Sequence, residues 1–113
     1  MINNDMQHYI SLLTQKTQDG TLTWSRHSRT TFSLIKSAGN MPLRVNFQTR
    51  RAPLMKDKGF VFNMQIEEGG RVLLSIDSSE HEELHSPLQN LFDAIESSLM
   101  AKGLEAFKKI LDE

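Results

Sequence analysis

The segment from Phe60 to Ile76 constrains the fold more than any other part of the chain. Phe60, Phe62, Met64 and Ile66 alternate with Val61, Asn63 and Gln65; Glu67-Glu68-Gly69-Gly70 follows, and Val72, Leu74 and Ile76 resume the alternation. A period of two sends successive side chains to opposite faces of a strand. Consecutive glycines supply the positive φ that a tight hairpin demands. The segment therefore predicts an antiparallel hairpin with one apolar face, and such a face requires a second layer to cover it.

Two further strands precede it. Phe32 and Leu34 share one face of a strand from about residue 30 to 37, Ala38-Gly39-Asn40 reads as a turn, and Leu43, Val45 and Phe47 alternate with Arg44, Asn46 and Gln48. The stretch 50–58, with Pro53 and several basic residues, reads as a loop.

The second layer comes from the chain ends. Met6, Tyr9, Ile10 and Leu13 fall at helical spacing, with Asn4 as the expected N-cap and Asp19-Gly20 as the stop. Leu22 and Trp24 then lead into the sheet, the indole covering one end of the core. Ser86-Pro87-Leu88-Gln89 reads as a capping box at the start of a helix whose apolar face is Leu88, Leu91, Phe92, Ile95 and Leu99. Continued through Leu111, that helix would be roughly 38 Å long, against about 26 Å for strands of this length. A break at Gly103 and a short third helix packing back are therefore expected, with an overhang into a partner subunit as the alternative. The resulting fold class is α+β in two layers: a four-stranded antiparallel meander with N-terminal and C-terminal helices on one face, in the order α-β-β-β-β-α-α.

At 113 residues with no cysteine, the chain is expected to form a single domain spanning 1–113. The absence of Cys removes disulfides, thiol nucleophiles and thiolate metal sites, and a reducing compartment is the natural setting. The N-terminus shows neither a basic n-region nor an apolar run of signal-peptide length, so a cytoplasmic location without membrane association is expected.

The net charge of −1 conceals a segregation. Residues 26–71 carry nine basic residues against three acids, and residues 72–113 carry nine acids against three lysines. Either the acidic part folds over the basic middle and neutralises it, or the basic middle is exposed to an acidic partner or nucleic acid.

If the helices cover one sheet face, strict alternation leaves Ser33, Ile35, Arg44, Asn46, Gln48, Val61, Asn63, Gln65, Arg71, Leu73 and Ser75 on the other. Its arginines and amides, interrupted by aliphatics, point to a surface that meets another surface. The strand from Arg71 to Asp77 lacks Pro and internal charge, which leaves an edge poorly defended against strand pairing, and a homodimer is expected. The candidate binding residues are Arg44, Asn46, Gln48, Asn63, Gln65 and Arg71 on the face and Arg50, Arg51, Lys56 and Lys58 in the basic loop.

Two motifs invite a sharper claim. His81-Glu82-Glu83-Leu84-His85 matches H-E-x-x-H, the spacing at which two histidines one helical turn apart hold zinc and the glutamate activates its water. A small zinc-dependent hydrolase using His81, Glu82 and His85 is accordingly one alternative. Polar residues precede the motif, Pro87 follows it, and a third ligand would have to come from Glu96 or Glu105, so an exposed acidic loop is the preferred reading. Lys58-Gly59-Phe60-Val61-Phe62 is similar to the start of an RNA-binding RNP1 strand, but base stacking in that phase would bury Asn63 and Gln65. A nucleic-acid-binding module using the basic residues on phosphates is the other alternative. His8 and His27 read as surface histidines, and no cofactor is expected.

The run Leu12-Leu13, Lys16-Thr17, Gly20, Leu22, Trp24 resembles the opening of many small bacterial and phage-borne accessory proteins, in which a helix leads through a glycine turn and a tryptophan into a sheet. The resemblance implies a chain that binds another macromolecule, inhibiting or escorting it. The expected function is a non-enzymatic interaction module, with a protein partner engaged through the open sheet face or the loop 50–58.

Overall fold

A computed structural model of the chain describes residues 2–38, 41–51 and 59–112, with the side chains of 2–4 and 37–38 outside that description. Helix α1 (Ile2–Gln18) leads to strands β1 (Ser25–Arg26), β2 (Thr31–Ala38), β3 (Met41–Arg51), β4 (Phe60–Glu68) and β5 (Arg71–Asp77), then to a short 3-10 turn (Glu82–Leu84) and helix α2 (His85–Leu111). The fold is α+β. Its antiparallel sheet runs in sequence order, β1-β2-β3-β4-β5, and contains five strands rather than the expected four. The addition is the two-residue β1, paired through Ser25 with Ser33 and Arg26 with Phe32, too short to leave a periodic signal in the sequence.

Cross-strand rows build the core. Phe32, Phe47, Met64 and Ile76 stand opposite one another across four strands, as do Leu34, Val45, Ile66 and Leu74. Both helices cover this face, with Ile10 of α1 and Leu88, Leu91 and Ile95 of α2 buried against it. The Phe92 ring reaches Phe32, Phe47 and Phe62 with centroid separations of 6.0, 6.3 and 5.7 Å, aromatic contacts that fix how α2 sits on the sheet. Phe60, expected in the core stripe, is exposed at the start of β4.

Helix α1 begins at Ile2, so Asn4 lies inside it rather than capping it. Its buried side is Ile10, Thr14 and Thr17, with Met6 and Leu13 packed alongside, whereas Tyr9 is exposed. The threonines are accommodated because their hydroxyls donate to the Ile10 and Leu13 carbonyls, and Thr17 Oγ1 also accepts the buried Trp24 indole N–H at 2.9 Å. The helix stops at Gly20 with φ +83°, where the Gly20 and Thr21 amides donate to the Thr17 and Lys16 carbonyls, the Schellman arrangement that glycine enables.

Helix α2 departs from expectation at both ends. It begins at His85 with no side-chain cap; the 3-10 turn feeds into it, and Ser86 is helical although it precedes proline. Pro87 sits in the first turn, where its missing N–H has no intrahelical role. Gln89, expected to close a capping box, instead donates to Asp93. Gly103 does not break the helix, and the expected third helix is instead the continuation of α2, which is one unit of 27 residues, about 40 Å at 1.5 Å per residue. Glycine costs only about 1 kcal/mol relative to alanine inside a helix, and helix formers flank Gly103 on both sides.

Candidate functional site

The face of the sheet opposite the helices is organised by the same register. One row is Ser33, Asn46, Gln65 and Ser75; the next toward the β4–β5 hairpin is Ile35, Arg44, Glu67 and Val72; the row on the other side joins Thr31, Gln48, Asn63 and Asp77. Arg44, Asn46, Gln48, Asn63 and Gln65 thus share one surface, and Arg50, at the end of β3 rather than in a loop, extends it. Arg51 stands opposite Phe60, in the phase of the helix-covered face. Lys56 and Lys58 lie outside the described residues.

A bulge corrects one placement. Ile66 pairs with Leu74 but Glu67 pairs with Val72, so Leu73 is an extra residue on β5. Beyond it the phase inverts: Arg71 stands opposite Glu68 and in line with Leu43, away from the open face, while Val72 moves onto it beside Leu73. The hairpin itself is the expected two-residue turn, with Gly69 and Gly70 at φ +59° and +86°. The bulge also re-aims the outer edge of β5, a protection against strand addition that the strand's composition had not suggested.

Hydrogen bonds knit the polar part of this face together. Arg50 on β3 reaches across β4 to β5, donating to both carboxylate oxygens of Asp77 at 2.8 and 3.3 Å. Asn63 adds a bond from its side chain, and Ser79 donates its backbone N–H and hydroxyl to the other oxygen. Burial of Asp77 works against its ionisation, but the bonds from Arg50, Ser79 and Asn63 outweigh it and hold the carboxyl well below the ordinary carboxylate range. The same bond to Asp77 raises the Arg50 pKa. Val61, opposite Arg50, is only 1% exposed rather than open to solvent, consistent with the arginine crossing β4 at this point.

Asn46 donates to Glu67, and His27 Nε2 lies 2.5 Å from the hydroxyl of buried Ser33. His27 is therefore held by its tie to Ser33. The outward-facing remainder is Arg44, Gln48 and half-buried Gln65, bordered by Ile35, Val72 and Leu73 at 56, 50 and 56% exposure. Between Arg44 and the hairpin glycines lies a shallow cleft of about 320 Å³, lined also by Ile35, Pro42 and Glu67.

The sequence reading missed Asp77, the hub of this network, and the His27–Ser33 pair. Asp77-Ser78-Ser79 carries a local signal, since Asp commonly accepts from the backbone two residues on. Nothing local announces the approach of His27 to Ser33, which depends on the turn leading into β2, where the His27 and Ser28 amides donate to the Thr31 carbonyl.

The H-E-x-x-H segment does not converge. His81 precedes the 3-10 turn and approaches Glu83 at 3.8 Å, while the His85 ring packs on Phe62 and its Nε2 lies 3.3 Å from the Phe60 carbonyl. Among the described residues no group of three or more His, Asp or Glu side chains is placed to hold a metal ion, and no helix is long and apolar enough to cross a membrane. The two charge-rich parts of the chain meet through Arg50–Asp77 and through Arg26, which pairs with Glu96 of α2 at 2.8 Å and lies over the Phe32 ring. No protein-family model, curated protein or solved structure matches the chain.

Proposed function

We propose that this protein is a non-enzymatic binding module that engages a protein partner through the open sheet face, with Arg44, Gln48 and Gln65 supplying directional contacts and Ile35, Val72 and Leu73 the apolar ones. The observation carrying this reading is the mixed character of that face: three half-exposed aliphatic side chains in and beside the row that holds Arg44 and Glu67. Aliphatic patches bordered by arginine and amides suit a protein surface. Phosphate recognition favours an unbroken run of cations, and here Arg50 and Arg26 are engaged by Asp77 and Glu96. A reducing, cytoplasmic setting belongs to the same reading, since the chain has no cysteine.

The test compares affinity capture by the wild type, by Arg44→Glu with Leu73→Glu, and by Gln15→Glu on exposed α1 as a control. A partner retained by the wild type and the control but lost from the sheet-face variant, with unchanged melting temperatures, is the expected result. Equal recovery by all three proteins would refute the assignment of the face. Recovery of nucleic acid that is released between about 50 and 200 mM salt would replace the protein partner with a polyanion.

A further inference from the structure

The C-terminal part of α2 carries an apolar stripe that the rest of the chain does not cover. Every residue from Met100 to Asp112 is exposed, and Met100, Leu104, Phe107, Ile110 and Leu111 are each at least 56% accessible. Apart from Ile110, which stands about five turns beyond Phe92, these residues do not continue the face that packs on the sheet. At 3.6 residues per turn Met100, Leu104, Phe107 and Leu111 lie roughly a third of a revolution around the axis from Leu88, Phe92, Ile95 and Leu99. The opposite side of the overhang carries Lys102, Glu105, Lys109 and Asp112, so this end of α2 is an amphipathic helix in its own right.

We infer that a second copy of this chain covers the overhang, through antiparallel pairing of the two α2 ends. The inference uses a different surface from the sheet face and does not depend on the function proposed there. Three features point to self-association. The seam Met100, Leu104, Phe107, Leu111 has spacings of four, three and four residues, symmetric about its own midpoint. An antiparallel twofold pairing then sets Met100 against Leu111 of the second copy and Leu104 against its Phe107, as a self-complementary contact requires. The positions flanking the seam are Ala101 and Lys108 on one side and Gly103 and Ile110 on the other, so no like charges face each other, and Gly103 permits close approach. The charges of the segment also balance, with Lys102, Lys108 and Lys109 against Glu105, Asp112 and Glu113, which gives no field to draw in a polyanion or an anionic membrane.

The sheet offers a poorer route to a dimer. Edge strand β1 has two residues and edge strand β5 is bulged at Leu73, both of which discourage strand addition. Burying five such side chains removes roughly 300–600 Å² per chain from water, at the lower edge of specific interfaces, which suits a reversible dimer.

Sedimentation equilibrium and native mass spectrometry of the full chain from about 1 to 500 µM should show a monomer–dimer equilibrium. Leu104→Glu with Phe107→Glu should weaken it by at least about 100-fold, leaving helicity and melting temperature unchanged in dilute solution. Because the chain has no cysteine, introduced thiols report orientation: a mixture of Leu104→Cys and Phe107→Cys chains should oxidise mainly to the mixed disulfide. Preferred like-with-like disulfides would overturn the antiparallel register. A monomer at every concentration would overturn the inference, as would a dimer indifferent to the two glutamates or a monomer that co-sediments with phosphatidylglycerol vesicles.

Discussion

Asp77 holds the end of β5, the turn after it and the far end of β3 in one geometry, because a single carboxylate accepts from Arg50, Asn63 and Ser79. Its side chain is 16% exposed while that of Arg50 is 54% exposed, so water screens the ion pair and the turn-closing bonds to Ser79 carry much of the value. Asp77→Asn should lower stability at pH 7 by about 1 kcal/mol. The pH dependence follows from the sign of the shift. A carboxyl held below its ordinary value of 3.8 makes the unfolded chain bind more protons than the folded one as pH falls toward and below that value. The contribution of Asp77 is therefore complete above about pH 5 and drains away as pH falls through 4 toward the folded value. Urea melts of both proteins between pH 7 and pH 2.5 should show the difference shrinking toward the acid end without closing, because the folded carboxyl is still ionised there. A difference that persists undiminished there would mean that Asp77 acts by packing, not by charge. Arg44, Asn46, Gln48, Asn63 and Gln65 were legible as members of one face because alternation alone assigns them. Asp77 was less so, since its role depends on Arg50 reaching across an intervening strand.

At the scale of elements, the strands were readable wherever apolar and polar residues alternate between two covered or uncovered faces, and the Gly69-Gly70 hairpin was readable from turn chemistry. The bulge at Leu73 was not, because three adjacent apolar residues, Val72-Leu73-Leu74, fit either phase and pairing with β4 decides between them. Gly103 misled for a related reason: a break was expected because an overhanging helix would leave apolar residues uncovered, an argument about burial rather than about the backbone. In the structure nothing lies within 4 Å of a Cβ built on Gly103. Gly103→Ala should therefore stabilise the C-terminal turns of α2 by up to about 1 kcal/mol. Far-UV circular dichroism should show a gain in helicity, and amide exchange should slow from about Met100 onward. Lost helicity would indicate that the backbone turns at this position after all.

Taken whole, the molecule separates what folds it from what projects beyond it. Its radius of gyration of 15.3 Å exceeds the about 13 Å of a compact chain of this length, and the overhang of α2, roughly 18 Å long from residue 100 onward, is one visible cause. The buried part of α2 stops short of it: Leu88, Leu91, Ala94 and Ile95 are buried, Leu99 packs against the core, and the residues beyond are exposed. The acidic C-terminal region likewise meets the basic middle through its body-bound part, with Glu96 on Arg26 and Asp77 on Arg50. A chain ending at Lys102 should therefore keep its core, both of these ion pairs and the Phe92 contacts. Its melting temperature in dilute solution should fall by no more than about 2–4 °C, the equivalent of less than 1 kcal/mol for a domain near this size. Since residues 103–112 contribute no buried side chain, any larger loss would mean that the removed segment packs on the body of the same chain in solution. Without that loss, the pairing inferred above predicts that the truncated chain and the Leu104→Glu, Phe107→Glu variant share one phenotype, a stable monomer at concentrations where the full chain would pair, because the buried residues of α2 end before the overhang.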